Sequence, residues 1–122
     1  VTLIAFGGMT NVAVEAADAL ADEGFDAEVV DLRTLRPWDK ETVTASVART
    51  HHVVMIEECP PQCGIGATVA ANIYELAFDE LDAPVERVSG ADCQLPYAKE
   101  LEQACIPHAP DVVEAALRTL GI

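Results

Sequence analysis

Glu57 and Glu58 stand side by side at the end of the apolar run Val53–Ile56, and paired carboxylates are a common source of acid–base chemistry. Their spacing argues against a working pair. Successive side chains on a strand point to opposite faces. One of the two is therefore expected to be buried and hydrogen-bonded, and the other to lie at an interface. Cys59 and Cys63 follow with a C-x3-C spacing, unlike the C-x2-C of a zinc ribbon or a thioredoxin-like redox site. His51 and His52 precede them. As neighbours opening a strand, they cannot converge on one metal. No metal site is expected, and Cys59, Cys63, Cys93 and Cys105 read as reduced thiols.

Two glycine turns invite a phosphate reading, because a helix N-terminus attracts anions. Gly7-Gly8 opens one strand-to-helix turn, and Gly64-Ile65-Gly66 opens another. Neither matches G-x-G-x-x-G, and no basic residue sits between Gly7 and Val12. Tight turns and close helix packing are the expected roles. Ser46 and Ser89 lack the setting of a nucleophile elbow, and no catalytic triad can be assembled. Arg33 and Arg36 flank Leu35 beside Pro37 and Trp38, which suits a cap, a bridge to an acid, or an anion or subunit contact. By these readings the chain holds no catalytic residue, no cofactor-binding residue and no metal ligand.

The elements that must carry these residues can be read from hydrophobic spacing. Val1–Phe6 is a short apolar run stopped by Gly7-Gly8, as expected of a strand buried on both faces. Thr10 or Asn11 should cap a helix that runs to Gly24, with Val12, Ala13, Ala16, Ala17, Leu20 and Ala21 at helical spacing. Ala27–Leu32 is a second strand. Asp39 is the expected N-cap of a helix over Lys40–Arg49. His51–Glu58 is a third strand. A helix follows from Ile65 to Glu80, its stripe made by Ile65, Val69, Ile73, Leu76 and Ala77. Val85–Val88 is a fourth strand. Ala98–Cys105 suits a turn or two of helix, and Pro110–Leu120 suits a last helix with proline at its first position. The alternation of strands and helices with short connections predicts an α/β fold of three layers, α/β/α, around a mainly parallel sheet. Residues 1–122 read as one domain, with no repeat and no linker.

Length and composition agree. The 122 residues are 51% hydrophobic but only 5% aromatic, so the core must be aliphatic and rich in alanine. No run of ~18 apolar residues exists, which excludes a membrane-spanning helix. The chain begins at Val1 without a basic-then-apolar leader, and so reads as a domain taken from a longer protein. Twenty-one acidic residues face 7 basic ones, a net charge of −14. Nucleic acid and anionic membranes are poor partners for that field, whereas a basic protein surface is a good one. With lysine only at positions 40 and 99, the acidity fits either a high-salt interior or plain solubility.

Four segments, read in order, say more. Asp31–Asp39 (DLRTLRPWD), His51–Ala67 (HHVVMIEECPPQCGIGA), Leu81–Asp92 (LDAPVERVSGAD) and Leu95–Glu102 (LPYAKELE) together resemble the transketolase C-terminal-like domain of the β subunit of thiamine-diphosphate-dependent 2-oxo acid dehydrogenases. The pyruvate dehydrogenase decarboxylating component is the most similar of these. The resemblance runs through essentially the whole chain. It implies a complete enzyme that uses thiamine diphosphate and Mg, decarboxylates a 2-oxo acid and acylates lipoyl groups. It implies that this domain lacks the cofactor sites and is inactive alone. The implied partners are the α subunit, a second β subunit and the subunit-binding domain of the dihydrolipoyl acyltransferase. The last would dock at Asp82, in the LDAP turn, and at the carboxylate of Ile122. Arg33, Arg36, Trp38, Glu57, Glu58 and Gln62 are the implied subunit-interface positions. The implied location is cytoplasmic, or an organelle matrix in a eukaryote. The family's antiparallel edge strand is expected to be absent or truncated here. Cys59-Pro60 stand where many members have Gly-Trp, so this loop's contacts with neighbouring subunits are expected to differ.

Overall fold

A computed structural model describes residues 1–122. Four strands form the sheet: β1 (Thr2–Ala5), β2 (Glu28–Asp31), β3 (Val53–Ile56) and β4 (Glu86–Val88). Their spatial order is β2-β1-β3-β4 and every pairing is parallel. Five helices connect and cover them: α1 (Met9–Asp22), α2 (Lys40–Thr50), α3 (Ile65–Ala77), α4 (Lys99–Cys105) and α5 (Ala109–Leu120), with a 3-10 turn at Phe78–Glu80. The expected α/β/α layering is present.

Strand alternation builds two separate cores. Leu3, Ala5, Val54, Ile56 and Val88 face one side, where α1 adds Met9, Ala13, Ala16 and Leu20 and α5 adds Val112, Ala115 and Ala116. Ile4, Val30, Val53 and Met55 face the other, against Val43 and Val47 of α2 and Val69, Ile73 and Ala77 of α3. Every residue of β1 and β3 is buried, as a parallel sheet covered on both faces requires. Small alanines on α1 and α5 let those helices lie close together and close to the sheet.

Several expectations shift. α1 begins at Met9 with Gly8 as its N-cap and no side-chain cap, so neither Thr10 nor Asn11 performs that role. The hydroxyl of Thr10 is buried without a partner. Asp39 does cap α2, accepting the N–H of Thr42 at 3.0 Å. His51 is not in a strand. It takes a left-handed conformation (φ 60°) as the C-cap of α2, and β3 begins at Val53. α3 stops at Ala77 and tightens into the 3-10 turn, so Leu76 is half exposed rather than part of the stripe. Gly66 and Ala70 are buried in that face instead, because the helix rests on the sheet through its smallest residues.

Candidate functional site

In an open parallel sheet, ligands bind beyond the carboxyl ends of the strands, where the strand order reverses. The order β2-β1-β3-β4 puts that point between β1 and β3. The turns that meet there are Gly7-Gly8 and the segment from Glu57 to Gly66.

Strand parity carries Glu57 onward from Val53 and Met55 toward α3, and Glu58 onward from Val54 and Ile56 toward α1. Glu57 is fully buried. Its Oε2 accepts the backbone N–H of Gly66 at 2.8 Å, and its Oε1 accepts from Arg87 Nη2 at 2.9 Å and Ser89 Oγ at 3.1 Å. Gly64, the N-cap residue of α3, has no side chain with which to cap. Glu57 supplies the missing anion from the strand, where the helix's positive end favours it. A Cβ at Gly64 would lie 2.5 Å from Glu57 Oε2, and one at Gly66 would lie 2.6 Å from Oε1. Both glycines are thus required by the carboxylate. Arg87 Nη2 also donates to the carbonyl of Pro61 at 2.9 Å, tying the Cys59–Gly64 loop to the same cluster.

Glu58 stands close to the start of α1 but does not cap it, since Gly8 receives no side-chain hydrogen bond. A Cβ on Gly8 would lie 2.8 Å from its Oε1. The two helix N-termini at the switch point therefore each face a carboxylate of the chain itself. An incoming phosphate would meet negative charge, and the cation of the cluster, Arg87, is already paired with Glu57. Neither glycine turn lines a cavity; the cavity that comes nearest is lined by Arg87 and Ser89, on the β4 side of the cluster. The arrangement braces the ends of β3 and β4 against two helices. Its buried carboxylate is held in an ion pair away from solvent.

The other singled-out residues fall in three places. Glu57 departs from its expected role as a subunit contact, because burial and hydrogen bonds within the chain leave it no surface to offer. Glu58 and Gln62 are exposed beside it. On the next loop, Arg33 (φ 54°) bridges back to Asp31, Nε to Oδ2 at 2.5 Å, and is 84% exposed. Arg36 is exposed, ahead of a cis bond to Pro37. Trp38 is half-buried against the α2–α3 core, with Lys40 Nζ 5.8 Å from its ring centroid. Ser46 joins a hydrogen-bonded group with Thr2, Thr50 and Glu28, not a nucleophilic site.

Asp82 and Ile122 lie at the opposite end of the sheet. The backbone N–H of Asp82 donates to the carbonyl of His51 at 3.0 Å, and His51 Nδ1 donates to the carbonyl of Glu80 at 2.7 Å. His52 Nδ1 contacts Thr119 Oγ1 at 3.4 Å, three residues before the exposed Ile122. The two histidines thus lean to opposite faces and hold the Asp82 turn and the end of α5 at the amino ends of the strands. Asp82 is exposed. It borders a mainly apolar hollow of about 270 Å³ lined by Tyr74, Phe78, Leu81 and Pro84.

Sequence reasoning passed over Arg87 altogether, and it treated Ser89 only as a rejected nucleophile. Their signal is the alternation of Arg87, Val88 and Ser89 in β4. It becomes meaningful only once the register pairs Ile56 with Val88. The pair Cys93 and Cys105 was also passed over, because a separation of twelve residues carries no motif.

Residues 1–112 match the family described as "Transketolase, C-terminal domain". Among curated proteins, the chain is 48% identical over 118 residues to the mitochondrial pyruvate dehydrogenase E1 component subunit beta-2 of Oryza sativa subsp. japonica, covering 97% of this chain and 31% of that protein. It is 45% identical over 123 residues to the human mitochondrial pyruvate dehydrogenase E1 component subunit beta, covering 100% of this chain and 34% of that one. Among solved structures, it superposes on a split gene transketolase, described as an inactive beta4 tetramer, with a TM-score of 0.83 and 35% identity, over 98% of this chain and 38% of that one. The chain spans about a third of the length of the curated relatives it matches.

Proposed function

The chain belongs to the transketolase C-terminal domain family, and from this we propose that residues 1–122 form the subunit-assembly and acyltransferase-docking domain of the decarboxylating component of a 2-oxo acid dehydrogenase, with pyruvate as substrate. The complete enzyme would oxidatively decarboxylate its substrate and acylate lipoyl groups. The observation that carries the reading is identity of 45–48% to pyruvate dehydrogenase E1 beta subunits over nearly the whole chain. The nearby structure described as an inactive beta4 tetramer fits a domain that assembles without catalysing alone.

Thiamine diphosphate does not suit the residues present. A diphosphate needs cations or free N–H donors, and the two helix N-termini at the switch point face Glu57 and Glu58 instead. In the proposed enzyme the cofactor and its Mg sit in other parts, where the ylid does the chemistry. This chain contributes no step to that chemistry. Its contribution is to hold together the subunits that do.

The proposed partners are the α subunit, a second β subunit and the acyltransferase's subunit-binding domain, the last docking at Asp82 and Ile122. Both residues are exposed, and hydrogen bonds to His51 and His52 keep their segments at one end of the fold. Charge-assisted hydrogen bonds from a basic partner suit that end and speed association. Arg36, Glu58 and Gln62, at the other end, are proposed for contacts with neighbouring subunits, alongside Arg33 and Trp38. The names of the relatives call those proteins mitochondrial; the proposed location is an organelle matrix for a eukaryotic source and the cytoplasm for a bacterial one.

The test is titration calorimetry of the assembled component with the isolated subunit-binding domain, comparing the intact protein, Asp82→Ala and a variant lacking Ile122. Salt-sensitive binding, weakened about tenfold or more by each change, is expected. Binding untouched by both changes would move the docking site elsewhere, and no binding to an α2β2 assembly would overturn the docking role.

A further inference from the structure

The four thiols divide into two unlike pairs. Cys59 and Cys63 sit on the loop tied down by Arg87, and both are exposed. Cys63 has φ 60°, in the left-handed region. Cys93 and Cys105 are twelve residues apart in sequence, yet their sulfurs lie 3.8 Å from each other. The backbone brings them there. The N–H of Ala91 donates to the carbonyl of Cys105 at 2.8 Å, and the N–H of Cys93 donates to the carbonyl of Ala91 at 2.8 Å. Gly90 lets the loop pass this close, since a Cβ there would lie 3.2 Å from the Cys105 carbonyl oxygen and 2.1 Å from that of Glu58. A disulfide needs the sulfurs at about 2.04 Å, a closure of less than about 2 Å that side-chain rotation can supply.

We propose that Cys93 and Cys105 are a reversible redox pair, closing to a disulfide when a hydroperoxide reaches Cys93. The two sulfurs are suited to different parts in this. Cys93 is exposed and meets the oxidant. Cys105 is partly shielded, and burial together with the hydrogen bond to Cys93 pushes its thiol up. It is placed as the resolving thiol, 3.8 Å from the sulfur of Cys93. With hydrogen peroxide, the Cys93 thiolate attacks one oxygen. The O–O bond breaks, the other oxygen leaves with a proton as water, and Cys93 becomes a sulfenic acid. The Cys105 sulfur then attacks the Cys93 sulfur. The S–S bond forms, the S–O bond breaks, and the hydroxide leaves with the Cys105 proton as a second water. One peroxide and two thiols give one disulfide and two waters.

The bond would close a loop with a distinct surface. Between the two cysteines lie Leu95, Tyr97 and Leu101, which are 48%, 104% and 58% exposed, and α4, which has no buried residue. In the thiol form hydrogen bonds from Ala91 and Cys93 hold its base. In the disulfide form its two ends are covalently joined, and the presentation of its apolar side chains is restricted.

The test treats the full chain with a slight excess of hydrogen peroxide, quenches it, alkylates under denaturing conditions and measures mass. The expected product is monomeric, about 2 Da lighter before alkylation, and takes up two alkyl groups where the untreated chain takes four. Trypsin should then release the peptide Val88–Lys99 joined to Glu100–Arg118, separable by dithiothreitol. In Cys105→Ser, Cys93 should run on to the sulfinic acid for want of a resolving thiol. A link within Thr50–Arg87, which holds Cys59 and Cys63, would overturn the proposal. So would a link between chains, four alkylated cysteines, or sulfinic acid at Cys93 of the unmodified sequence.

Discussion

Arg87 and Glu57 form the ion pair of this fold with a fully buried member. Breaking such a pair from one side strands a charge in the interior, which costs far more than losing a surface bridge. Arg87→Met should therefore destabilise the chain by roughly 3 kcal/mol, the lower end of the range for buried pairs, because Arg87 keeps 26% of its side chain exposed. Urea unfolding measures this, and a loss below about 1 kcal/mol would mean the pair is screened like a surface one. Glu28 offers a pH test. A hydrogen bond from Ser46, and to a smaller degree the pairing with Arg49, hold its carboxyl below the ordinary glutamate value. A carboxyl depressed on folding stabilises while it is ionised. That contribution is present above the ordinary value and lost as pH falls through the folded one. Thermal unfolding of the native sequence and Glu28→Gln should differ at neutral pH, and the difference should close in acid. A difference that persisted in acid would assign it to packing instead. Residue by residue, the opposite directions of Glu57 and Glu58 were legible from strand parity. Their partners were not, since Arg87 lies thirty residues from Glu57.

α3 shows how an element's start can be set from outside itself. Its first turn has glycine at the N-cap and again two positions later, and its cap is a carboxylate from β3. Helix propensity alone favours alanine over glycine at Gly66 by about 1 kcal/mol. Gly66→Ala should nonetheless lower stability, because the new methyl would lie 2.6 Å from Oε1 of a carboxylate whose two oxygens together accept three hydrogen bonds. Denaturant midpoints of Gly66→Ala should fall, and in the Glu57→Ala background the same substitution should cost less. A rise in the single variant would show that Glu57 can yield. α1 starts differently. Residue type places its cap at Thr10 or Asn11, but the helix begins at Met9 with Gly8 uncapped by any side chain, Glu58 Oε1 leaves no room for a Cβ at Gly8, and Thr10 falls inside the helix. Where the cap is local, as at Asp39 of α2, residue type was sufficient.

The molecule as a whole carries a net charge of −14 on 122 residues. Five ion pairs engage Arg33, Arg49, Arg87 and Arg118, the last with two acids, and leave most acidic residues without a cation. Self-repulsion of that size opposes the compact state and is screened by salt. The thermal midpoint should rise between low and molar potassium chloride, as scanning calorimetry would show, and a flat profile would assign the acidity to solubility alone. Strand count, helix count, layering and the α/β class were all legible in the chain, because periods of 2 and 3.6 are local properties of sequence. The meeting of Glu57 with Arg87 and Ser89, of Cys93 with Cys105, and of the Asp82 turn with the end of α5 was decided only by the fold. Each joins segments distant in sequence, and their contact depends on the register of β3 against β4 and on the angle at which loops leave the sheet. Periodicity says which face a residue takes, but not what will stand opposite it.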